Sequence, residues 1–335
     1  MAASGSIRSA ATMLVALSLL VLVGGCTGAP HRRAEATRLQ QAISGMPGVT
    51  DAYVSYENAI GRGATISIQV QLPSATRQQI VDVVDRINAV RGDLFAKFDQ
   101  SASFQPVADG GAAFEVRCGQ ALDAATIADE AVALRTLASR VQAESADWWC
   151  NPHDRRLDIR GNRTPIADVL DVLRTTGSDL SGTSMELLSN PAAPSGDLAL
   201  PLFSVQYPYS TDDFAHFKAL VARLAAKPWT AGVGPGSTIG GLSVRVQSPV
   251  AARQQLADVI AAVGAGPNHP LQLAWALDDP PLYGTDTPRF TGRVDVGGCN
   301  YGTDTEAELH PENYLTPAAL ALQRELRAQY DTCPK

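Results

Sequence analysis

The chain has 335 residues, a length that allows two or three compact units. Its 34 acidic residues outnumber its 27 lysines and arginines, so the formal net charge is −7 at pH 7. Nucleic-acid binding relies on clustered lysine and arginine, and the composition therefore argues against a nucleic-acid partner.

An apolar run lies near the start of the chain. Residues 11–23, ATMLVALSLLVLV, follow Arg8 and are 13 apolar or small residues. Because a membrane-spanning helix needs about 20 such residues, the run predicts the core of a secretory signal. We find no later segment that is long and apolar enough to span a membrane.

The junction LVGGC, residues 22–26, resembles the lipobox of bacterial lipoproteins, in which a small residue precedes an invariant cysteine. The resemblance implies cleavage after Gly25, a diacylglycerol thioether on Cys26, and acylation of the new N-terminus, for example with palmitate. Residues 1–25 would then be the signal peptide and 26–35 a lipidated tether. Two or more acyl chains anchor a protein stably, so we expect it on the extracytoplasmic face of the cell membrane. The alternative is an ordinary secretory signal with a chance cysteine.

An internal repeat organises the rest of the chain. Residues 66–87 align without a gap to 242–263, and 10 of the 22 positions match, including Arg-Gln-Gln at 77–79 and 253–255. Each copy predicts an alternating strand, a proline-marked turn and an amphipathic helix. A third helix with the same spacing is predicted near Ile166. The apolar stripes of the three helices are Ile80, Val83, Val84, Ile87; Ile166, Val169, Leu170, Leu173; and Leu256, Val259, Ile260, Val263.

A second amphipathic helix precedes each of these three. Its apolar positions are Leu39, Ala42, Ile43, Met46; Leu134, Leu137, Ala138, Val141; and Phe217, Leu220, Val221, Leu224. Two short strands are predicted between the helices of a pair, at 49–57 and 64–72 in the first copy and at 228–233 and 240–247 in the last. With the flanking strands LPLFSVQYP and PLQLAWAL, the last copy has the order β-α-β-β-α-β, which is that of the split βαβ, or ferredoxin-like, plait.

We therefore predict an α+β fold of tandem ferredoxin-like plaits, in which helices cover one face of each sheet, with a disulfide-stapled C-terminal extension. A tight-turn signal, VADGGAAF, joins the first two units, so their sheets can run together. The clearest linker is NPAAPSGD, 190–197. The predicted units are 36–108 (without its first strand), 109–190 and 198–280, followed by the extension 281–335.

Four cysteines remain besides Cys26: Cys118, Cys150, Cys299 and Cys333. An even number in an exported chain predicts two disulfides, for which three connectivities exist. Proximity along the chain favours Cys118–Cys150 and Cys299–Cys333. No CxxC pair is present, which argues against a thioredoxin-like or zinc-finger site.

Motifs that carry chemistry are scarce. The sequence has no HExxH, GxSxG or SxxK motif, and we expect no catalytic or metal role for its five histidines, His31, His153, His216, His269 and His310. The glycine-rich stretch GVGPGSTIGG, 232–241, lies between two predicted strands and lacks a following lysine, so it predicts a hairpin connection and no phosphate loop.

The C-terminal extension carries four acids, Asp286, Asp304, Glu306 and Glu308. Their spacing matches no EF-hand, so they predict a solvated loop, with calcium binding as the alternative. We predict no cofactor and no metal.

Aromatic residues are the candidates for a binding surface. Trp148 and Trp149 lie in the second strand of the middle unit, Trp229 in a similar place in the last unit, and Tyr53 in the first. Adjacent strand residues point to opposite faces, so one of Trp148 and Trp149 can point away from the helices. The alternative is burial against a neighbouring unit.

These observations favour a non-catalytic lipoprotein that serves as a binding or scaffold module for an envelope protein or ligand. An alternative is a cell-envelope hydrolase whose active site is assembled between units, since a triad from distant positions leaves no local motif. A third is a carrier of lipids or small molecules, which would need a large apolar cavity.

Overall fold

The computed structural model describes residues 31–59, 63–108, 113–151, 154–190, 198, 200–277, 288–301 and 306–334. The predicted signal peptide, Cys26, the linker 191–197, His153, Asp286 and Asp304 lie outside these residues. Among the helices of the described part, none is long and apolar enough to cross a membrane.

Twelve strands form one mixed sheet whose strand order follows the chain from one edge to the other. The strands are β1 (Asp51–Ala59), β2 (Gly63–Gln71), β3 (Asp99–Gln105), β4 (Ala113–Cys118), β5 (Ser145–Asn151), β6 (Asp154–Asn162), β7 (Ser184–Ser189), β8 (Leu202–Gln206), β9 (Lys227–Val233), β10 (Ile239–Arg245), β11 (Leu271–Ala276) and β12 (Thr291–Val296).

Six helices accompany the strands of the three predicted units, and two more belong to the extension. They are α1 (Arg33–Ser44), α2 (Arg77–Arg91), α3 (Ala124–Arg140), α4 (Ile166–Thr175), α5 (Thr211–Val221), α6 (Pro249–Val263), α7 (Glu306–Leu309) and α8 (Pro317–Tyr330). Helices α2 to α6 each connect two parallel neighbours in the sheet, whereas the other neighbouring strands pair in antiparallel fashion.

The predicted order of helices and strands is found in the described residues from α1 to β11. Separate ferredoxin-like plaits are not confirmed. In a split βαβ, another strand lies between the two strands that a helix connects, whereas here β2 pairs directly with β3 and β10 directly with β11. The units are also joined, because β3 pairs with β4 and β7 with β8. The protein is therefore a mixed α/β fold built on one continuous sheet.

The repeated segments adopt equivalent local structures. One forms β2 and α2, and the other forms β10 and α6. The same glutamine-to-aspartate hydrogen bond lies on both helices, from Gln78 to Asp82 at 2.9 Å and from Gln254 to Asp258 at 2.8 Å. The arginine of the shared Arg-Gln-Gln run forms an ion pair with another helix in both copies: Arg77 with Asp129 of α3, and Arg253 with Glu325 of α8.

The apolar core lies on one face of the sheet. Paired strands place buried residues side by side across the middle of the sheet, in the row Val70, Phe104, Val116, Trp148, Leu157, Met185 and Val205. The apolar stripes of the helices complete this core, and α2, α3 and α4 also pack against one another. Strand residues of the opposite parity point to the other face, as the two-residue period of a strand requires.

Side chains cap the two edges of the sheet. On β12 the backbone N–H of Arg293 donates to the Gln323 side chain of α8 at 2.9 Å, and that of Asp295 donates to the Tyr301 hydroxyl at 3.0 Å. On β1 the N–H of Val54 donates to the Gln40 side chain of α1 at 3.2 Å. Capped edge groups are not available to pair with a strand of another chain.

Both preferred disulfides are present. Cys118 and Cys150 join the ends of the parallel neighbours β4 and β5, with Cα atoms 5.0 Å apart. Cys299 and Cys333 join the segment after β12 to the segment after α8, also at 5.0 Å. The predicted staple of the C-terminal extension is thereby confirmed.

Candidate binding surface

The face of the sheet that carries no helix has a polar composition, and we call it the open face. Its side chains alternate along each strand with those of the core. The row through its centre consists of Gln71, Gln105, Glu115, Asp147, Asp158, Glu186, Ser204, Gly232, Gly241, Gln272 and Asp295. At about 4.8 Å between strands, twelve strands extend over roughly 50 Å.

The four aromatic candidates occupy different places. Trp148 is completely buried in the core, whereas Trp149 is half-buried on the open face. Tyr53 is also on the open face, opposite Gln69, and is 55% exposed. Trp229 is the extra residue of a β-bulge in β9, where the pairing passes from Thr230 to Pro228, and it is half-buried.

Trp149 lies between two arginines. Arg117 on β4 and Arg156 on β6 are its direct neighbours across the sheet, and each guanidinium carbon lies 5.4 Å from the centroid of the indole. Guanidinium groups at this distance are attracted by the negative face of the ring. The indole therefore holds two cations in place instead of offering free stacking faces.

Four carboxylates follow one another across four neighbouring strands: Glu115, Asp147, Asp158 and Glu186. Like charges directly opposite each other repel, so such a row needs cations beside it. Three arginines supply them. Arg117 Nε lies 3.1 Å from an oxygen of both Glu115 and Asp147, Arg156 Nε lies 3.0 Å from Asp158, and Arg160 lies 3.8 Å from Asp158. The Nε contacts of Arg117 and Arg156 lack the alignment of a hydrogen bond.

Burial changes the pKa of one carboxylate in this row, Asp147. Asp147 is 6% exposed beneath the arginine and tryptophan side chains. Burial raises the pKa of Asp147, and the charge of Arg117 opposes this rise. The carboxylates therefore form the base of this part of the open face, and the outer parts of the arginines reach solvent.

The open face changes character at β8. On β8 to β11 the floor at the centre of this face consists of small or uncharged residues, and the charged Arg293 and Asp295 follow on β12. The uncharged residues are Ser204, Thr230, Gly232, Gly241, Ser243, Gln272 and Ala274. Two cavities of about 820 and 300 Å³ adjoin this floor, and both are lined by Ser204, Gly232, Gly241 and Gln272; the larger one also reaches Leu220 of α5 and Val263 of α6. They are thus parts of one depression, which we call the trough.

The extension forms one end of the trough. Asn300 and Tyr301 line it there. The guanidinium carbon of Arg327 lies 3.8 Å from the centroid of the Tyr301 ring, and Arg327 also forms two hydrogen bonds with Glu308, of 2.9 and 3.0 Å. Burial would raise the pKa of Glu308, but hydrogen bonds from Arg327 and Arg293 keep it below its ordinary value. Glu308 is one of the acids considered above as calcium ligands, and its carboxylate is already paired with arginine.

A hairpin lies at the other end of the trough. It connects the antiparallel strands β9 and β10, as predicted for the glycine-rich stretch 232–241.

His269, Ser237 and Glu186 all line the larger cavity. Within the described residues no hydrogen bond joins the His269 side chain to either of the other two. The Ser237 hydroxyl instead donates to a carboxylate oxygen of Asp213 at 3.0 Å. Hydrogen bonds from Ser210 lower the pKa of Asp213, which caps the first turn of α5.

A buried ion pair lies on the helix side of the sheet. Glu130 on α3 is 1% exposed, and its carboxylate accepts a hydrogen bond of 3.1 Å from Arg155 on β6. Burial raises the pKa of Glu130 to about 7, against the effect of Arg155. In the described part of the chain, no three histidine, cysteine, aspartate or glutamate side chains are grouped so that they could hold a metal ion.

Comparison of the chain with models of known families, with characterised proteins and with solved structures gives no significant match.

Two strands carry sequence signals for the open face. In SADWWC and RRLDIR, charged residues alternate with residues of the core, which places Asp147 beside Trp149 and Asp158 between two arginines on one face. Register decides which of these residues meet. It joins Asp147 to Asp158 and Trp149 to Arg156, and the sequence alone does not give it.

Proposed function

We propose that this chain is a lipid-anchored lipoprotein of the cell envelope, and that it acts as a non-catalytic binding or scaffold module through the open face. The observation that carries the proposal is the difference between the two faces of the sheet: the main apolar cluster lies on one, and the other offers a largely polar surface. Tandem units that share one sheet extend this surface far beyond that of a single small domain.

The anchor rests on the lipobox resemblance of residues 22–26. We expect Cys26→Ala to prevent lipid attachment, so that the protein accumulates as a precursor or leaves the membrane fraction. Thr27→Ala is the matched control and should leave attachment unchanged. The measurement is incorporation of a labelled fatty acid together with detergent phase partitioning. Full membrane retention and labelling of the Cys26→Ala protein would exclude this anchor.

The binding surface is tested by photo-cross-linking in native membranes. A photoreactive amino acid is placed on the open face at Ser101 or Leu188, and on outward helix positions at Ala89 or Ala261; all four residues are exposed. We expect discrete cross-linked products from the open-face positions and none, or different ones, from the helix positions. Equal products from both faces would show that the open face has no special part in binding.

A cell-envelope hydrolase is the second candidate, because His269, Ser237 and Glu186 share one cavity. A hydrolase would need them to act together, and a Ser237→Ala variant that is folded would then lose turnover of envelope polymers. The binding proposal predicts no turnover by either protein. Release of small products from purified envelope, measured by mass spectrometry, separates the two.

A further inference from the structure

We propose that the trough binds an uncharged, hydroxyl-rich chain, that is, a saccharide, which lies across strands β8 to β12. This inference deepens the proposed function and depends on the open face being a binding surface.

The floor favours a ligand without net charge. The charged side chains lie towards its two ends: Glu186 at one, and at the other the buried Asp295 and Arg293, which is paired with Glu308. Between them the floor offers hydroxyl groups, side-chain amides and glycine backbone. Thr230 and Ser243 already form a hydrogen bond of 2.7 Å with each other, so their hydroxyls are ordered and keep acceptor capacity. Hydroxyl groups of a ligand can both donate to and accept from such a surface.

The direction of the trough favours an extended ligand. Its central row passes from strand to strand through Ser204, Gly232, Gly241 and Gln272, and therefore runs across the direction of the strands. From β8 to β12 there are four steps of about 4.8 Å, or roughly 19 Å in all. This length fits several sugar units in a line.

Packing within the protein does not explain why residue 241 is a glycine. Glycine inside a strand is destabilising relative to alanine, and it often marks the close approach of a ligand or another backbone. At Gly232 a Cβ atom would lie 3.0 Å from the Ser204 hydroxyl, so the neighbouring strand accounts for that glycine. At Gly241 a Cβ atom would meet nothing within 4 Å, and the backbone is not in the left-handed region. The bulge of β10 falls on Gly240, not on Gly241.

The pairing of the strands argues against a peptide as the ligand. Peptides that bind to sheets usually add a strand at an exposed edge, where backbone N–H and C=O groups are free. Strands β8 to β11 are internal and are paired on both sides. The trough therefore offers side chains of the floor and no ladder of unpaired backbone groups, which suits the hydroxyls of a saccharide.

The test is binding of neutral oligosaccharides of glucose, galactose, mannose and N-acetylglucosamine to the full chain in detergent, measured by calorimetry. We expect at least one series to bind, with affinity that rises with chain length. Gly241→Val should reduce this affinity about tenfold or more, because its side chain occupies the trough and displaces ligand hydrogen bonds. Valine suits a strand, so circular dichroism and the melting temperature should not fall.

Ser101→Val is the matched control, since it adds a similar side chain to an exposed open-face position of β3, away from the trough. Gln272→Ala is the second variant and should weaken binding severalfold even if Gly241→Val does not fold. Binding that neither variant changes, binding of oligopeptides in place of saccharides, or no binding by any series would each overturn the inference. If face-specific cross-links persist in that case, the proposed function stands and only its ligand is wrong; if they are also absent, both fail.

Discussion

On β5 the neighbouring residues Trp148 and Trp149 occupy opposite faces of the same sheet, and their surroundings represent the two halves of the molecule. Trp148 is enclosed by the apolar layer between strands and helices. Trp149 lies between two guanidinium groups above a row of carboxylates. The covered face stabilises the fold through burial, whereas the open face keeps charges and hydroxyls in a fixed register at the surface.

Replacement of each tryptophan by alanine separates these two roles. Trp148→Ala should lower the free energy of unfolding by about 3–5 kcal/mol, because a large cavity remains in the core. Trp149→Ala should lower it by about 1 kcal/mol, in keeping with two partly exposed cation–π contacts. Urea denaturation followed by circular dichroism measures both. Equal losses would mean that the faces do not differ as described.

The two disulfides allow the same comparison with a somewhat smaller effect. Cys118–Cys150 ties strands of the central sheet and closes a loop with a sequence separation of 32, so the double alanine variant should lose about 3–4 kcal/mol on the chain-entropy account. The corresponding variant of Cys299 and Cys333 should loosen mainly the extension. Hydrogen exchange by mass spectrometry should then show faster exchange in β12 and α8 only. Uniformly faster exchange in that variant would contradict a local role.

The buried Glu130 predicts a pH dependence that belongs to the covered face. Its pKa is about 7 in the folded protein and 4.5 without the fold, so the fold prefers the protonated acid. Its contribution to stability is fully present below pH 4.5 and is lost as the pH rises through about 7, a loss of about 3 kcal/mol. Glu130→Gln should avoid this loss. The stability difference between variant and wild type should therefore grow over that pH range.

Asp85→Asn is the control for this prediction, because it removes an exposed carboxylate on the outer side of α2. Its stability difference from the wild type should stay nearly constant over the same pH range. A constant difference for Glu130→Gln as well would refute the role of this group.

The smallest expected effect concerns the open face alone. Arg156→Ala should change the free energy of unfolding by about 0.5–1 kcal/mol, since the pair is partly exposed. It should nevertheless uncover one face of the Trp149 indole. Acrylamide quenching of Trp149, obtained by difference from a Trp149→Phe protein, should increase. Unchanged quenching would show that Arg156 does not cover the ring.

Periodicity predicted most helices and strands of this fold, because apolar stripes and alternating strands are local properties of the sequence. The helix near Leu256 and the strand pair on either side of 232–241 illustrate this. The strand order was not predicted. Both a split and a direct βαβ unit bury the same stripes, and only the pairing of β2 with β3 decides between them. β12 was missed because it is short and lies in a segment rich in glycine and aspartate.

For the candidate site, the sequence predicted that one of Trp148 and Trp149 would face away from the helices, and the parity of β5 places Trp149 there. It did not indicate the trough. The floor of the trough consists mostly of residues with small side chains on four neighbouring strands, and such positions carry no local pattern. Gly241 became informative only when the space around it was known.

The most direct test of the account is thiol labelling of single cysteines placed in adjacent pairs on three parts of the sheet, in a Cys26→Ala background with both disulfides intact. The pairs are Gln69 and Ile68, Leu188 and Leu187, and Gln272 and Leu273, each with an exposed residue followed by a buried one. The account predicts rapid labelling of the first member of every pair and protection of the second until the protein unfolds. Protection of both members, or rapid labelling of both, would contradict a sheet that is covered on one face and open on the other.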